Sequence, residues 1–364
     1  MSKRVLIALH RYEIGGAETQ AFYLGCHLKQ QGFDVIFSAF GSELGQGFDR
    51  FEQEGFSCIR WGFQEKLILD PPRGLLGGLR RYRFLLKLFQ KVRALKVDAI
   101  IPFTYPPNLI FCSYFSLMGA KTCLWNQRDE GRFFLGNIGE IRALKLASAI
   151  VSNSREGMGF LQNHTSRKIT LIKNAVDLKK FSRVAPDYKS NRVVMIGNIH
   201  GFKDHLTLLE AWKIVLVNFP NLKLALAGRN GSAYPELLDF VRSQGIEESV
   251  DFIGGVNDIP KMLKSCILAV FSSENEGVPN GVLEPMASTF SVVATDIMGC
   301  REALGDDYPF LVQPKDPIDF ADKICQLIRS EELMRSLGKA NQERIIKNFS
   351  IEKMGESYIK LLDV

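Results

Sequence analysis

SSENEGVPNGVLEPMASTFSVVATDIMGCRE, residues 272–302, is the stretch from which the rest of the chain is read. It leaves a short apolar run, Leu268–Ser272, and turns through Gly277, Pro279 and Gly281. It then has helical character from about Pro279 to Ala287 and re-enters an apolar run at Val292–Thr295. Strand, glycine-bearing turn, helix and strand in that order make the repeating unit of a parallel sheet. Such a turn exposes backbone N–H groups, and the helix start adds unpaired donors and partial positive charge, a cradle for a diphosphate. Two glutamates flank that cradle. Glu276 in the loop is placed to accept hydrogen bonds from sugar hydroxyls, and Glu284, further into the helix, from the vicinal hydroxyls of a ribose. Spacing alone does not separate this from two solvated or helix-capping carboxylates.

Working outward, the same alternation fills the chain. Val5–Leu9, Val35–Ala39, Ala99–Ile101, Thr122–Trp125 and Ala149–Ser152 read as buried parallel strands, with crossover helices such as Glu18–Gln31 between them. A second series follows: Arg192–Ile196, Leu222–Ala227, Val250–Ile253, Leu268–Ser272, Val292–Thr295 and Phe310–Val312. Two series predict an α/β protein of two doubly wound domains, residues 1–184 and 185–348, joined through the polar segment Val184–Asn191. Residues 349–364 are expected to form a closing helix that packs back on the first domain. Ligands of such sheets bind at the carboxyl ends of the strands, which points to a cleft between the domains.

With 364 residues, 46% hydrophobic and 24% charged, the chain suits two folded domains and leaves little room for disorder. The net charge of +6 favours anionic partners without choosing among them. Seven cysteines stand singly, with no metal-binding spacing and no disulfide framework. The apolar run near the N-terminus is too short for a signal sequence, and no stretch reaches 18 apolar residues. The expectation is a protein made and kept in the cytoplasm. No Asp-x-Asp sequence occurs, and no bound divalent metal is expected.

The long quoted stretch resembles glycosyltransferase family 4, whose members have the two-domain Rossmann-like fold called GT-B. The residues that carry the resemblance are Ser273, Glu276, Gly277, Pro279, Glu284, Met286, Ala287, Val292–Asp296, Gly299 and Glu302. Thr289 and Ser291 depart from it, standing where the family usually has Gly and Pro in a turn. Ile14–Glu18 is similar to the family's N-terminal glycine loop, where Gly15 and Gly16 let amides approach a phosphate or an acceptor. Ser152–Ser154, Lys173–Asp177 with Phe181, and Phe349–Ser350 match further family segments in order.

The resemblance implies a retaining transferase acting on a nucleotide sugar, taken as UDP-linked, with Gly277, Val278, Pro279 and Asn280 forming the diphosphate turn. In the family an Arg and a Lys of the loop after the first strand of the second domain hold the diphosphate. Here that loop is Gly197–Lys203: Lys203 matches, and Asn198 replaces the Arg with a donor that carries no charge. Arg229, after the next strand, is either its replacement or a solvated loop cation. Ile259 falls in the segment whose backbone contacts the nucleobase in the family, or else in a plain connection. The family's catalytic-region His has no counterpart in Trp125–Glu130. In that segment Arg128 is a candidate for contact with a phosphate or the acceptor, and Asp129 for receiving the acceptor proton; the alternative is a structural ion pair. Of the five histidines, His10 and His200 fall in strand-end loops, while His27, His164 and His205 read as helix or surface residues.

Residues Arg73–Lys96 hold eight cations, no acidic residue and interleaved leucines and aromatics. As a helix they form either a basic crossover element or a contact with an anionic membrane surface, helped by Arg132–Leu135. No motif favours nucleic acid. The expected acceptor is a saccharide or lipid-linked saccharide of bacterial surface polysaccharide assembly, such as lipopolysaccharide. The alternatives are a nucleotide-sugar 2-epimerase on the same fold or an inactive carbohydrate-binding subunit.

Overall fold

Short chain segments buried at every position satisfy their backbone here as strands of sheets covered on both faces. The computed structural model describes residues 2–13, 15–41, 45, 47–62 and 74–362, so that Ile14 and Arg73 lie outside the described residues. In the first unit the strands are β1 (Arg4–Leu9), β2 (Asp34–Ala39), β3 (Ser57–Arg60), β4 (Ala99–Pro102), β5 (Thr122–Gln127), β6 (Ala149–Ser152) and β7 (Ile169–Leu171). They form one parallel sheet in the order β3-β2-β1-β4-β5-β6-β7. Along β1, Val5, Ile7 and Leu9 enter the core on one face, and Leu6 and Ala8 enter the core on the other.

The second unit holds β8 (Arg192–Ile196), β9 (Lys223–Ala227), β10 (Val250–Gly254), β11 (Leu268–Phe271), β12 (Val292–Thr295) and β13 (Leu311–Val312), ordered β10-β9-β8-β11-β12-β13. Chain order reverses between β8 and β11, so the loops after these two strands diverge and leave a crevice at their carboxyl ends.

The two compact units are Met1–Ala175 with Ile351–Val364, and Val176–Ser350. The division therefore precedes the expected join at Val184. Val176, Phe181 and Val184 are all buried in the second core, and Val176 bridges to Ser350. The helix Ile351–Leu362 adds Met354, Tyr358 and Leu362 to the first core beside Leu24 and Leu28 of the helix Gly16–Gln30. The architecture is the expected two-domain α/β fold. The edge strands β3 and β7 were not expected, because half-exposed residues line them and no continuous apolar run marks them. His27 and His205, read as helix or surface residues, lie in helices and are buried.

Candidate functional site

The crevice between β8 and β11 is built by hydrogen bonds between its two loops. Ser272 Oγ donates to the Lys203 carbonyl at 3.1 Å and Ser273 Oγ to the Phe202 carbonyl at 3.0 Å. The Glu274 amide also donates to Phe202, at 2.9 Å. The backbone around Phe202 is thereby fixed beside the strand end, and the Lys203 side chain is brought to Glu276. Its Nζ lies 2.5 Å from Glu276 Oε1 and over the Phe271 ring, 4.9 Å from its centroid.

Two glycines make this packing possible. A β-carbon at Gly281 would collide with the Ile196 carbonyl at the end of β8, and one at Gly299 would collide with the Gly277 carbonyl. The glutamate loop is thus held against both the first strand and the helix Met298–Leu304. The helix Asn280–Ala287 begins immediately beyond it, with Pro279 as its N-cap. Pro279 has no N–H, and its carbonyl accepts from Val282 and Leu283. Of the four residues Gly277–Asn280, Pro279 therefore has no amide to donate. Gly277, Val278 and Pro279 are buried, and Asn280 and Glu284 are half-buried.

Asn198 has a structural part in this unit. Its Oδ1 accepts from the Arg229 amide at 2.9 Å, and the Ile199 amide donates to the Arg229 carbonyl at 2.9 Å. Those bonds extend the β8–β9 pairing beyond the strands and set Arg229 at the same carboxyl edge, half-buried. Ile259 opens the short helix Ile259–Leu263, which Asp258 caps by accepting from the Lys261 amide at 3.2 Å.

Burial governs the titration of nearby groups. His205 is 2% exposed, neither ring nitrogen has a hydrogen-bond partner, and its pKa is pushed down to about 3 by desolvation and then by Lys203 and His200. The ring is neutral. Cys300, also buried, has its thiol held protonated by desolvation and then by the Glu276 charge, so it is not a nucleophile. Thr289, where the resembling family has Gly, adopts φ 58°, a left-handed conformation that is costly for a β-branched residue.

In the first unit Gly15 caps the helix Gly16–Gln30 in an extended conformation, φ −145°. Arg128 and Asp129 follow β5, and they are not an ion pair. Arg128 Nη2 donates to Asn174 Oδ1 at 2.5 Å, and the guanidinium also hydrogen-bonds to Tyr358. Asp129 Oδ1 accepts from Gln127 Nε2 at 2.5 Å and from the Gly131 amide at 2.8 Å, and burial raises its pKa. The partners of Arg128 come from distant parts of the sequence, where polar residues with no charge give no signal.

The basic segment forms the helix Gly74–Ala94. Phe84, Leu88 and Val92 face the core, whereas Leu75 and Leu76 are 85% and 74% exposed, and Tyr82 is 60% exposed. Arg80, Arg83 and Lys87 are exposed; Arg81 is only half-exposed. Phe133 and Leu135 are exposed while Phe134 packs edge-on to Trp125. Among the described residues no helix is long and apolar enough to cross a membrane.

Residues 177–344, nearly all of the second unit, match the family model described as "Glycosyl transferases group 1". A Haemophilus influenzae protein named an uncharacterized glycosyltransferase is 23% identical over 357 residues, 96% of each chain. A Campylobacter jejuni protein is 26% identical over 224 residues, 59% of this chain and 60% of that one. Its name is N-acetylgalactosamine-N,N'-diacetylbacillosaminyl-diphospho-undecaprenol 4-alpha-N-acetylgalactosaminyltransferase. The fold is that of Anabaena HepE, solved in complex with UDP and glucose, at a TM-score of 0.83, 18% identity and 99% coverage of both chains. Together these findings support a glycosyltransferase of the GT-B fold; they give no support to an epimerase.

Proposed function

We propose that this glycosyltransferase moves a sugar, with retention of anomeric configuration, from a UDP-linked donor to a saccharide or lipid-linked acceptor of bacterial surface polysaccharide assembly. The observation that carries the reading is the Lys203–Glu276 pair beside the start of the helix Asn280–Ala287, at the point where the second sheet reverses its strand order. Breaking the glycosidic bond leaves negative charge on the departing diphosphate. An ammonium and helix-start amides fixed in advance stabilise that charge without reorganisation. In this assignment Lys203 and the amides of Gly277, Val278 and Asn280 take the diphosphate, Glu276 orients the sugar, and Glu284 accepts from the ribose hydroxyls. Asn198 and Arg229 supply polar groups at the same edge, and Ile259 lies by the base. No metal is called upon.

Attack from the donor's own face, with the leaving phosphate drawing the acceptor proton, explains retention without an enzymic nucleophile. Asp129, its pKa raised by burial, is the protein group assigned to share that proton. The UDP of the HepE complex and the diphospho-undecaprenol in the Campylobacter protein's name support the donor and the acceptor class. The exposed leucines and cations of the helix Gly74–Ala94 support attachment to an anionic membrane face. The test of the reaction is to incubate the protein with UDP-sugars and lipid-linked acceptors and read the new anomeric centre by NMR. The donor's own configuration in the product is expected; an inverted centre sinks the retaining assignment.

A further inference from the structure

Between the ends of β4 and β5 lies a second polar recess, lined among others by Thr104, Asn126, Arg128 and Phe133. Four atoms around it are closed off from solvent and have no hydrogen-bond partner: Thr104 Oγ1, Asn126 Nδ2, and Arg128 Nε and Nη1. All four can donate. The accepting oxygen of Asn126 is already taken by Tyr358 Oη at 2.9 Å, and Arg128 is held from its other side by Asn174 and Tyr358. Among the described residues no carboxylate pairs with Arg128, and burial presses against its charge. The Asp129 carboxyl also lines the recess, but its Oδ1 is occupied by Gln127 and the Gly131 amide.

A buried guanidinium with two N–H groups unused is expensive unless something negative completes it. Water would satisfy the hydrogen bonds and leave the charge uncompensated. The recess has room for about one water-sized atom, which is also the size of a single anionic oxygen. The helix Tyr105–Tyr114 starts at the same place, with Thr104 as its N-cap at φ 74°, but Pro106 and Pro107 in its first turn have no N–H to offer.

We propose that Arg128, Asn126 and Thr104 receive one anionic oxygen of the acceptor, so that the acceptor is an acidic molecule carrying a phosphoryl or carboxylate group. The inference rests on the transferase reading for the word acceptor, and on the recess alone for the anion.

The test uses full-length protein with ¹⁵N-labelled arginine, titrated separately with inorganic phosphate, acetate and chloride while the Nε–H signals are followed. The signal absent from Arg128→Lys identifies Arg128. Phosphate or acetate should shift it saturably in the millimolar range, and chloride should not. Tighter binding of phosphate indicates a phosphorylated acceptor, and tighter binding of acetate a carboxylated one. Thr104→Val, which keeps the shape and removes the hydroxyl, should weaken the titration roughly three- to tenfold. An Arg128 signal that neither anion moves overturns the proposal and leaves the recess to water. UDP-glucose added to the same sample keeps the two readings apart. Donor binding with an unmoved Arg128 rejects the anion site only, and anion binding with no affinity for any UDP-sugar rejects the transferase reading only.

Discussion

Lys203 Nζ and Glu276 Oε1 are 2.5 Å apart, in side chains 13% and 18% exposed, so the two groups assigned to the donor neutralise each other before any donor arrives. The pair sits where solvent screens it poorly, and removing one partner strands the other. Lys203→Ala should cost about 2 kcal/mol of stability, and Glu276→Ala a similar amount. The double variant should lose less than the sum, with a coupling of about 1 kcal/mol or more in urea denaturation. Strictly additive losses would mean that the contact contributes nothing. In steady-state kinetics Lys203→Ala should depress kcat more than it raises KM, because charge on the diphosphate grows toward the transition state. A raised KM with normal kcat would make Lys203 a uniform binding contact.

His205 sets an acid limit on the second unit. Its folded pKa of about 3 lies below the unfolded value of about 6.5, so the unfolded chain takes the proton first. Its neutral ring therefore costs nothing above about pH 6.5, and stability falls as pH drops from there toward 3. At pH 5 the loss should be about 2 kcal/mol relative to pH 8. His205→Leu, which also removes two unpartnered ring nitrogens, should abolish that part of the acid dependence. Matching denaturation curves for the variant and the wild type from pH 8 to 5 would show that the site admits the proton.

Thr289 stores backbone strain at φ 58°. Thr289→Gly should relieve about 1–2 kcal/mol of it and return about half as chain entropy, leaving a net gain of about 0.5–1 kcal/mol. Calorimetric Tm should rise. A fall would mean that the threonine side chain makes a contact worth more than the strain.

The helix Gly74–Ala94 should bring the protein down with vesicles containing anionic lipid, and far less with neutral ones. Salt should release it, since exposed charges are screened over about 10 Å at 0.1 M. Changing the exposed Arg80, Arg83 and Lys87 to Glu should leave the protein in the supernatant with its fold intact, because Phe84, Leu88 and Val92 still hold the helix to the core. Unaltered sedimentation of that variant would return the helix to an ordinary crossover role.

Much of this was legible in the sequence for a physical reason. Strands buried on both faces are rich in apolar residues, and β1, β6, β8 and β12 announce themselves that way. The edge strands β3 and β7 need no such run and were missed. The Glu276 segment was readable because of its glycines and proline, of which Gly281 and Gly299 are required by close approach to the Ile196 and Gly277 carbonyls. The pairing of Glu276 with Lys203 was not, since it depends on loops that meet only when β8 and β11 lie side by side. The surroundings of Arg128 were hidden for the same reason: Thr104, Asn174 and Tyr358 are common polar residues far apart in the chain. His205 reads as a helix or surface residue and does start a helix; its burial is not legible, because nothing local distinguishes a histidine that starts a buried helix face.

In the proposed reaction the second unit binds a nucleotide sugar with Glu284 on its ribose. Calorimetric titration of wild type and Glu284→Ala with a panel of UDP-sugars tests it most directly. Binding of at least one donor is predicted, weakened in the variant by about 1.5–3 kcal/mol, roughly tenfold to a hundredfold in affinity. Equal affinity of the two proteins, or no binding of any UDP-sugar by the wild type, would contradict the account.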